Sequence, residues 1–379
     1  MAAPLAGLQV VDLTQGYVAY CGSLLADLGA SVIKVETPDG DYQRRLGPPF
    51  LGDDAAAFVA VNRGKRSVVL DWQGQDQALE HLTELVRRAD AVITDFYPDE
   101  AEPAGLDYAG ISRINPQVIH CSITPFGDTG PDRNKRATEL EIQGISGLWR
   151  YLGSYKEAPI RHGVPMAAMC ASIFGCQALI AALAHRNRTG VAQHVGVSQL
   201  GALLTMQTVQ FVSESEPDEW IGHCLSPYRE PNRGYQTKDR AILWDFMEDD
   251  GFRTFCAEIG LAGLADDPRI ARTNPSRWQN VEILRPTFEA AFRDRSADDL
   301  VARVRELGGN AVPYHTFESL SRDPQALVMD LVTTAPKPGG GQMQTIGLPW
   351  EFSETQPGLG AAPRLGEHTN AVLAELGSS

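Results

Sequence analysis

The chain is poor in cysteine and carries fewer basic than acidic side chains. Its 379 residues include six cysteines, and no two of them stand in the C-x-x-C spacing of a metal or redox motif. We therefore expect reduced, mostly buried thiols, as is typical of a cytoplasmic protein. Lys and Arg number 33 against 48 Asp and Glu, which gives a net charge of −15. This balance argues against nucleic acid and against an anionic membrane surface as partners.

Long apolar runs are also lacking. The most apolar stretch, residues 173–184, is shorter than a membrane span and is expected to lie in the protein core. The first residues, MAAP, do not form a basic start followed by an apolar block, so no signal peptide is expected. The remaining composition is ordinary for a globular protein.

Short apolar stretches alternate with helical patterns through the first part of the chain. Residues 8–13 and 31–36 have the pattern of buried strands, and 20–28 have that of a helix between them. This order is typical of a parallel β-α-β unit with a right-handed crossover. Further elements are expected at 67–71 (strand), 75–88 (helix), 91–95 (strand) and 118–123 (strand). The sequence therefore predicts an α/β fold with a Rossmann-like parallel sheet.

The chain is longer than one core usually supports, so two domains are expected. The predicted order is a large α/β domain over 1–212, a linker over 213–233, a smaller α+β domain over 234–322, a second linker over 323–341 and a return to the large domain over 342–379. Within the smaller domain we expect a strand at 241–246 and helices at 251–259, 280–293 and 297–307. The linkers are assigned from their Glu, Pro, Ser and Gly content.

The segment 163–190 has the strongest helix pattern in the chain. Strong helix formers follow Pro165, basic residues cluster before the end, and Gly190 stands beyond it. The helix is apolar on nearly all sides, which predicts burial. Its N-terminus, where backbone N–H groups lack partners, would accommodate a thioester or a phosphate group.

This segment, with QHVGVS following at 193–198, resembles family III CoA-transferases, the group of the formyl-CoA and the carnitine or bile-acid CoA-transferases. Matching stretches keep their order along the chain at 26–36, 62–71, 119–131 and 365–377. The resemblance implies a ring-shaped chain interlocked with a second chain. It also implies coenzyme A or an acyl-CoA as substrate, with no permanently bound cofactor, and a carboxylic acid as the second substrate.

In that family an Asp near the start of this helix attacks the acyl-CoA and forms covalent intermediates. Here the matching position is Ala168, so no catalytic residue is intact. Ser172, one turn further on the same face, is one candidate replacement. Glu139, which matches an acid near the family's active site, is the other. Cys170 should face elsewhere and is predicted to be a core residue.

The resemblance also implies positions that contact CoA. They are Gln15, Gly16, Tyr17, Leu70, Asp95, Phe96 and Tyr97. The first loop lacks the family's Gly-Pro, and the second continues into the acidic run 99–102, where a glycine and then a basic residue are usual. Like charges about 4 Å apart cost about 1 kcal/mol in water and more near a protein. We therefore expect this chain to bind CoA weakly.

Several basic side chains have two interpretations. Lys65 and Arg66 are either structural or close to CoA, and Arg44 and Arg45 either meet a phosphate or are solvated. The histidines do not form metal-ligand spacings, so each is predicted to be structural and no metal is expected. The histidines considered are His120, His162, His194 and His368.

The nucleophile and both CoA loops differ from the family pattern together. This favours a non-catalytic subunit that works beside a homologous catalytic chain, as in the two-subunit benzylsuccinate CoA-transferase. Three alternatives stay open. One is a self-sufficient transferase or isomerase, as a homodimer, that uses Ser172 or Glu139. The others are a binding protein on the same fold, and a variant with Asp changed to Ala at position 168.

Overall fold

The computed structural model describes residues 2–72, 74–151, 162–208, 234–246, 248–267 and 281–377. The chain divides into two compact units. Unit 1 comprises Met1–Ser146, Gly163–Met206 and Pro324–Ser379, and unit 2 comprises Gly147–His162 and Gln207–Asp323. The predicted linker 213–233 lies outside the described residues.

Unit 1 is built on a six-stranded sheet in which every neighbouring pair is parallel. The strands of this part are β1 (Gln9–Asp12), β2 (Ser31–Glu36), β3 (Phe50–Leu51), β4 (Asp54–Ala55), β5 (Arg66–Val69), β6 (Ala91–Thr94), β7 (Ile119–Thr124) and β8 (His194–Ser198). The sheet order is β5-β2-β1-β6-β7-β8, while β3 and β4 form a separate small hairpin. Counted along the chain, the sheet strands run 3-2-1-4-5-6, the order of a doubly wound fold. The predicted α/β class with a parallel sheet is confirmed.

Helices connect these strands and cover the sheet. They are α1 (Tyr20–Asp27), α2 (Ala56–Val61), α3 (Asp76–Arg88), α4 (Pro98–Ala104), α5 (Tyr108–Ile114), α6 (Glu139–Ile145), α7 (Met166–Thr189) and α8 (Gln199–Met206). Helix α3 shows why they form. Its buried residues Ala78, Leu82, Leu85 and Val86 recur every three to four positions, so one face joins the core. Its last turn carries Arg87 and Arg88, which suit the negative end of a helix.

Helix α7 is the central helix of unit 1. It runs for 24 residues and ends at Gly190, which adopts a left-handed conformation with φ of 75°. It packs closely on β7, because a Cβ at Gly175 would lie 2.9 Å from Cδ1 of Ile123. The helix extends well beyond the apolar stretch 173–184 and, by length and composition alone, is sufficient to cross a membrane. However, 56% of its most apolar window is buried inside the protein, as expected for a core helix.

Unit 2 has its own sheet and core. Its strands are β9 (Tyr235–Gln236), β10 (Ala241–Asp245) and β11 (Asn310–Pro313), all antiparallel. Described helices span Asp249–Glu258, Val281–Phe292 and Ala297–Glu306. Trp244, Phe255 and Phe292 belong to a buried cluster between strands and helices. Within this unit, the elements expected at 241–246, 251–259, 280–293 and 297–307 lie within two residues of those observed.

The segment after unit 2 differs from the prediction. Residues 323–341 were expected to be a linker, but they hold a short helix, Pro324–Val328, and the strand β12 (Val332–Pro336). This strand pairs with β13 (Gln342–Ile346) as an antiparallel hairpin. The glycines that suggested a linker form the hairpin turn, since Gly339, Gly340 and Gly341 all have positive φ. The chain then reaches the C-terminal helix Thr369–Gly377, which packs on α3 and β5.

Candidate active site at the edge of the parallel sheet

The strand order of the sheet reverses between the neighbouring strands β1 and β6. In a doubly wound fold, ligands bind at the carboxyl ends of the strands on either side of such a reversal, so the crevice is expected here. The chain after β1 passes through Gln15 into a 3₁₀ turn, Gly16–Ala19. The chain after β6 enters Asp95. The two are joined directly, because the Gln15 N–H donates to Asp95 Oδ2 at 2.9 Å.

The structure brings six of the seven predicted CoA positions to this edge. Those that converge here are Gln15, Gly16, Tyr17, Asp95, Phe96 and Tyr97. Leu70 does not join them. It follows β5 at the edge of the sheet, and its side chain is only 4% exposed within the unit 1 core. Its side chain therefore packs in the core, and its contact with CoA stays a prediction.

Gly16 is held tightly in place. Its φ is +66°, and its N–H donates to both carboxylate oxygens of Asp41 at 3.1 Å. A Cβ at this position would lie 2.0 Å from the Tyr42 hydroxyl oxygen, so a larger residue would have to displace Tyr42 and would be strained by the positive φ. Burial, followed by the charge of Asp41, raises the pKa of Tyr42 to about 12. Tyr42 therefore stays a neutral phenol beside this loop.

Asp95 is an unusual carboxyl group for such a place. Desolvation raises its pKa to about 7, and the hydrogen bond from the Gln15 N–H opposes that effect. The carboxylates of Asp41 and Asp12 raise it further, against the nearby charge of Lys34. Asp95 is thus divided between its neutral and ionised forms near pH 7.

Two fully buried ion pairs lie directly behind this loop. Lys65 Nζ lies 2.7 Å from Asp12 Oδ2, and Lys34 Nζ lies 3.0 Å from Asp41 Oδ2; all four side chains are 0% exposed. Burial raises the pKa of Asp12, but Lys65 and Lys34 outweigh it and hold that pKa below its usual value. Lys34 also donates to the Thr14 carbonyl at 2.7 Å, which anchors the start of the loop.

The basic residues that were candidates for phosphate contact are mostly structural. Lys65 is saturated, since it also donates to Asn62 Oδ1 at 2.8 Å. Arg44 is 4% exposed and pairs with Glu36 at 2.7 Å and with Asp54 at 2.8 Å. Arg66 pairs with Glu375 at the surface. In unit 1 these cations serve the fold, because each already has a carboxylate within bonding distance.

The acidic stretch after Tyr97 has a cation that sequence analysis missed. Arg136, from the segment before α6, pairs with Asp99 at 3.0 Å and with Glu100 at 2.8 Å. Its guanidinium carbon lies 3.8 Å from the centre of the Tyr97 ring. The basic run RNKR at 133–136 was the signal for this partner. The expected excess of negative charge beside the loop is therefore partly neutralised.

The N-terminus of α7 holds a carboxylate, although position 168 does not supply it. Glu139 accepts hydrogen bonds from the N–H of Ala167 at 2.7 Å and of Ala168 at 3.0 Å. Gln143 Nε2 donates to the same carboxylate at 2.7 Å and to the Val164 carbonyl at 2.9 Å. Glu139 is partly exposed. Its carboxylate accepts hydrogen bonds from N–H groups that have no partner within the helix, at the place where a thioester or a phosphate group was expected.

Ser172 fails as a candidate nucleophile. It is 0% exposed, and its hydroxyl lies 2.8 Å from the Ala168 carbonyl oxygen and 3.1 Å from that of Val18. A hydroxyl that bonds the preceding helical turn and has no base beside it cannot be activated for attack. The contact with Val18 does show that the first turns of α7 lie against the Gly16–Ala19 turn.

Cys170 is the remaining nucleophilic side chain in this turn. It is 7% exposed, and burial together with the charge of Glu139 raises the pKa of its thiol. It therefore stays protonated and inert. Among the described residues, no group of three or more His, Cys, Asp or Glu side chains is arranged to hold a metal ion.

These features define a doubly wound α/β protein with a ligand crevice at the reversal of its sheet and a carboxylate at the start of its central helix. The sequence model of the family described as CoA-transferase family III matches residues 5–369 of this chain. The chain belongs to that family, whose members move CoA between an acyl-CoA and a carboxylic acid. The resemblance drawn from the sequence is confirmed.

Characterised relatives match over nearly their whole length. Succinate–glutarate CoA-transferase from Agrobacterium fabrum is 33% identical over 98% of this chain and 96% of its own. Formyl-CoA:oxalate CoA-transferase from Escherichia coli O157:H7 is 29% identical over 100% of this chain and 97% of its own. Among solved structures, a CAIB/BAIF family protein from Brucella suis superposes with a TM-score of 0.86 at 32% identity, covering 99% of this chain and 100% of that one.

Proposed function

We propose that this chain is the non-nucleophilic subunit of a CoA-transferase and works beside a homologous chain that supplies the acyl-accepting carboxylate. One observation carries the proposal. Position 168 presents only a methyl group, and both backbone N–H groups beside it are already bonded to Glu139. Position 168 itself therefore supplies no nucleophile, and in this proposal a homologous chain supplies one.

The surrounding residues support the same conclusion. Ser172 and Cys170, the other nucleophilic groups of this turn, are buried and inactive. The loop expected to contact CoA faces two carboxylates, Asp99 and Glu100, which lower its affinity for a polyanion even though Arg136 pairs with them. We therefore propose weak binding of CoA or acyl-CoA as substrate, with no permanently bound cofactor.

Isolation of the native complex tests this proposal. The tagged chain would be purified from its own cells and, separately, as the recombinant protein alone. Each sample would be assayed for CoA transfer from succinyl-CoA to glutarate, the acids named for one relative. We expect transfer by the complex and none by the chain alone, with a covalent CoA adduct on the partner only.

Rapid transfer by the recombinant chain alone would overturn the proposal. The control variant is Glu141→Gln, on the same helix as Glu139 and bonded only to its own N-terminal turn at Thr138. It should leave the transfer rate of the complex unchanged. A loss of activity with this variant would show that disturbing α6 is enough to stop transfer. In that case a loss of activity on substitution of Glu139 could not be assigned to its carboxylate.

A second candidate function is favoured by the position of Glu139. Its carboxylate lies at the start of α7, is partly exposed and bonds the N–H of Ala168. In a self-sufficient enzyme, a Glu139 oxygen would attack the acyl carbonyl and release CoA thiolate, leaving a mixed anhydride. The thiolate would then attack the Glu139 carbonyl, release the donor acid and form a thioester. The acceptor acid would then attack the thioester and release the CoA thiolate, which leaves a new mixed anhydride. The thiolate would attack the acceptor carbonyl of this anhydride, which forms the acceptor's CoA thioester and frees Glu139.

Mass spectrometry separates the two candidates. If Glu139 is the nucleophile, incubation of the chain alone with succinyl-CoA gives a CoA adduct on the peptide containing residue 139. Glu139→Gln abolishes that adduct, while Glu139→Asp retains part of it. Absence of the adduct in the wild-type chain would exclude this candidate and leave the two-chain proposal.

The setting proposed for the protein is the cytoplasm. The described cysteines are all free and buried, which fits a reducing compartment. A homologous partner is preferred to a homodimer, because two copies of this chain would both present Ala168 and neither would supply the family's nucleophile.

A further inference from the structure

A hydrogen-bonded chain of four side chains crosses the sheet on the side of α5. Thr94 Oγ1 lies 3.0 Å from Nε2 of His120, at adjacent strands β6 and β7. His120 Nδ1 lies 3.1 Å from Nδ1 of His194 on β8, with which it pairs in register. His194 Nε2 in turn lies 2.9 Å from Asp128 Oδ2. The inner end is closed, since Thr94 is 1% and His120 3% exposed.

The outer end of this chain reaches solvent. The side chains of His194 and Asp128 are 31% and 26% exposed. Asp128 is also bonded by the Ser122 hydroxyl. Gly196 makes room for this arrangement, because a Cβ there would lie 3.2 Å from Asp128 Oδ2 and 3.4 Å from His194 Nε2. The backbone is thus shaped to admit the carboxylate.

The direction of the hydrogen bonds follows from the outer carboxylate. An ionised Asp128 only accepts, so His194 donates from Nε2 and, when neutral, accepts at Nδ1. His120 must then donate from Nδ1 and accept at Nε2 from the Thr94 hydroxyl. Each histidine nitrogen thus has one partner, and Asp128 Oδ2 accepts from both His194 and Ser122.

Protonation of His194 reverses that direction. The imidazolium carries protons on both nitrogens, so its Nδ1 now donates to His120 Nδ1. His120 must then carry its single proton on Nε2 and donate to Thr94. One proton is taken up from solvent, Asp128 stays ionised, and His120 changes tautomer without gaining charge.

The surroundings favour this course. Burial, and then the charge of His194, lowers the pKa of His120 to about 3, so His120 remains neutral when His194 is charged. Helix α5 contributes the ring of Tyr108, stacked on His120, and its charged residues are occupied elsewhere. Asp107 caps the helix through Gly110, and Arg113 bonds the Ala109 carbonyl. Cys121, the neighbour of His120 on β7, points to the opposite face of the sheet, and its thiol is buried.

We propose that Thr94, His120, His194 and Asp128 form a proton relay in which uptake of one proton at His194 reverses the tautomer of His120 and the hydrogen bond to Thr94. Along the chain, both ends of the relay are followed by residues of the candidate site. Thr94 directly precedes Asp95, and Asp128 belongs to the segment between β7 and α6 that carries Arg136 and leads to Glu139. The relay is a pH-sensitive link between the solvent and these two segments.

Long-range ¹H–¹⁵N spectra of histidine rings test the relay in the full-length protein. As the pH is lowered, we expect the Nδ1–H tautomer of His120 to give way to the Nε2–H tautomer when His194 becomes protonated. Resonances are assigned with His120→Gln and His194→Gln. A His120 tautomer that stays the same while His194 gains charge would overturn the proposal, as would a His194 that gains no charge before the protein unfolds in acid.

Asp128→Asn provides a second, independent test. The amide cannot stabilise the imidazolium as a carboxylate does, so the tautomer change of His120 should need a lower pH than in the wild type. Asp132→Asn is the matched control, because Asp132 lies in the same segment but faces Lys135 at 3.8 Å. An equal shift in both variants would contradict a specific role for Asp128.

Discussion

At the crevice, the protonation states of single side chains depend on nearby charges that little water screens. Lys34, Lys65, Asp12 and Asp41 are wholly buried and remain paired, whereas Asp95 faces a loop N–H and no cation within bonding distance among the described residues. The pKa of Asp95 rises because its ionised form lacks the compensation that the other carboxylates receive.

Asp95 should make stability depend on pH in an unusual direction. In the unfolded chain its pKa is about 3.9, and in the folded protein it is about 7, so the folded state holds the extra proton between these values. Its contribution to stability is present below pH 4 and is lost as the pH rises to 7. Relative to wild type, Asp95→Asn should therefore gain stability from pH 5 to pH 7 and then level off.

Urea unfolding at pH 5, 6, 7 and 8 measures this difference. Asp99→Asn, an exposed carboxylate further along the same chain segment, serves as the control and should follow the wild type. A constant difference between Asp95→Asn and wild type across this range would show that Asp95 is ionised throughout.

The limits of sequence analysis are clearest at these residues. The absence of a nucleophile at Ala168 and the choice of Glu139 as a candidate both come from the sequence, because a motif fixes the residue types along the chain. The burial of Ser172 and Arg44 could not, since it depends on Val18, Glu36 and Asp54 meeting them in space. Arg136 was missed for the same reason.

Secondary structure elements are positioned by a few close approaches. Helix α1 comes so near to β1 that a Cβ at Gly22 would lie 2.4 Å from Asp12 Oδ2 and 3.0 Å from Lys65 Cε. The buried ion pair and the glycine therefore require each other. Neither partner can move away, because both are fully enclosed.

Gly22→Ala should destabilise unit 1 by about 1–3 kcal/mol, even though alanine is the better helix former. The added methyl group forces apart the buried ion pair of Asp12 and Lys65. Because both side chains are enclosed, water cannot solvate the separated charges. Gly263→Ala is the control, since no atom lies within 4 Å of its added Cβ. Denaturant unfolding should find the control within about 1 kcal/mol of wild type. Equal stability of Gly22→Ala and wild type would show that α1 can shift.

Prediction of the elements was accurate where periodicity is strong. Strand 31–36 matched at both ends, and α3 differed by one residue, because alternation and amphipathicity are local properties. The error at 323–341 has a physical cause. Glycines with positive φ serve hairpin turns and linkers equally well, and only the pairing of β12 with β13 distinguishes them.

Among the described residues, each of the two units has a buried cluster that shares no residue with the other unit. Leu82 belongs to the core of unit 1 and Phe255 to that of unit 2, and each is 1% exposed. Each unit therefore has the hydrophobic core expected of a domain that folds by itself.

Differential scanning calorimetry should detect this independence. Leu82→Ala and Phe255→Ala should each lose about 2–5 kcal/mol, but from different transitions, because the cavity forms in one core only. We expect Leu82→Ala to lower the melting temperature of one transition and Phe255→Ala that of the other. A single transition lowered by both variants would show that the units unfold together.

The last residues of the chain close the outer strand of the main sheet. The His368 N–H donates to the Ser67 carbonyl at 2.9 Å, and the Gly366 N–H donates to the Ser67 hydroxyl at 2.9 Å. During synthesis, β5 leaves the ribosome some three hundred residues before these partners do. Until residues 366–369 have been made, this strand offers unpaired backbone groups to any other chain, so the nascent protein has a period of exposure to aggregation that chaperones would need to cover.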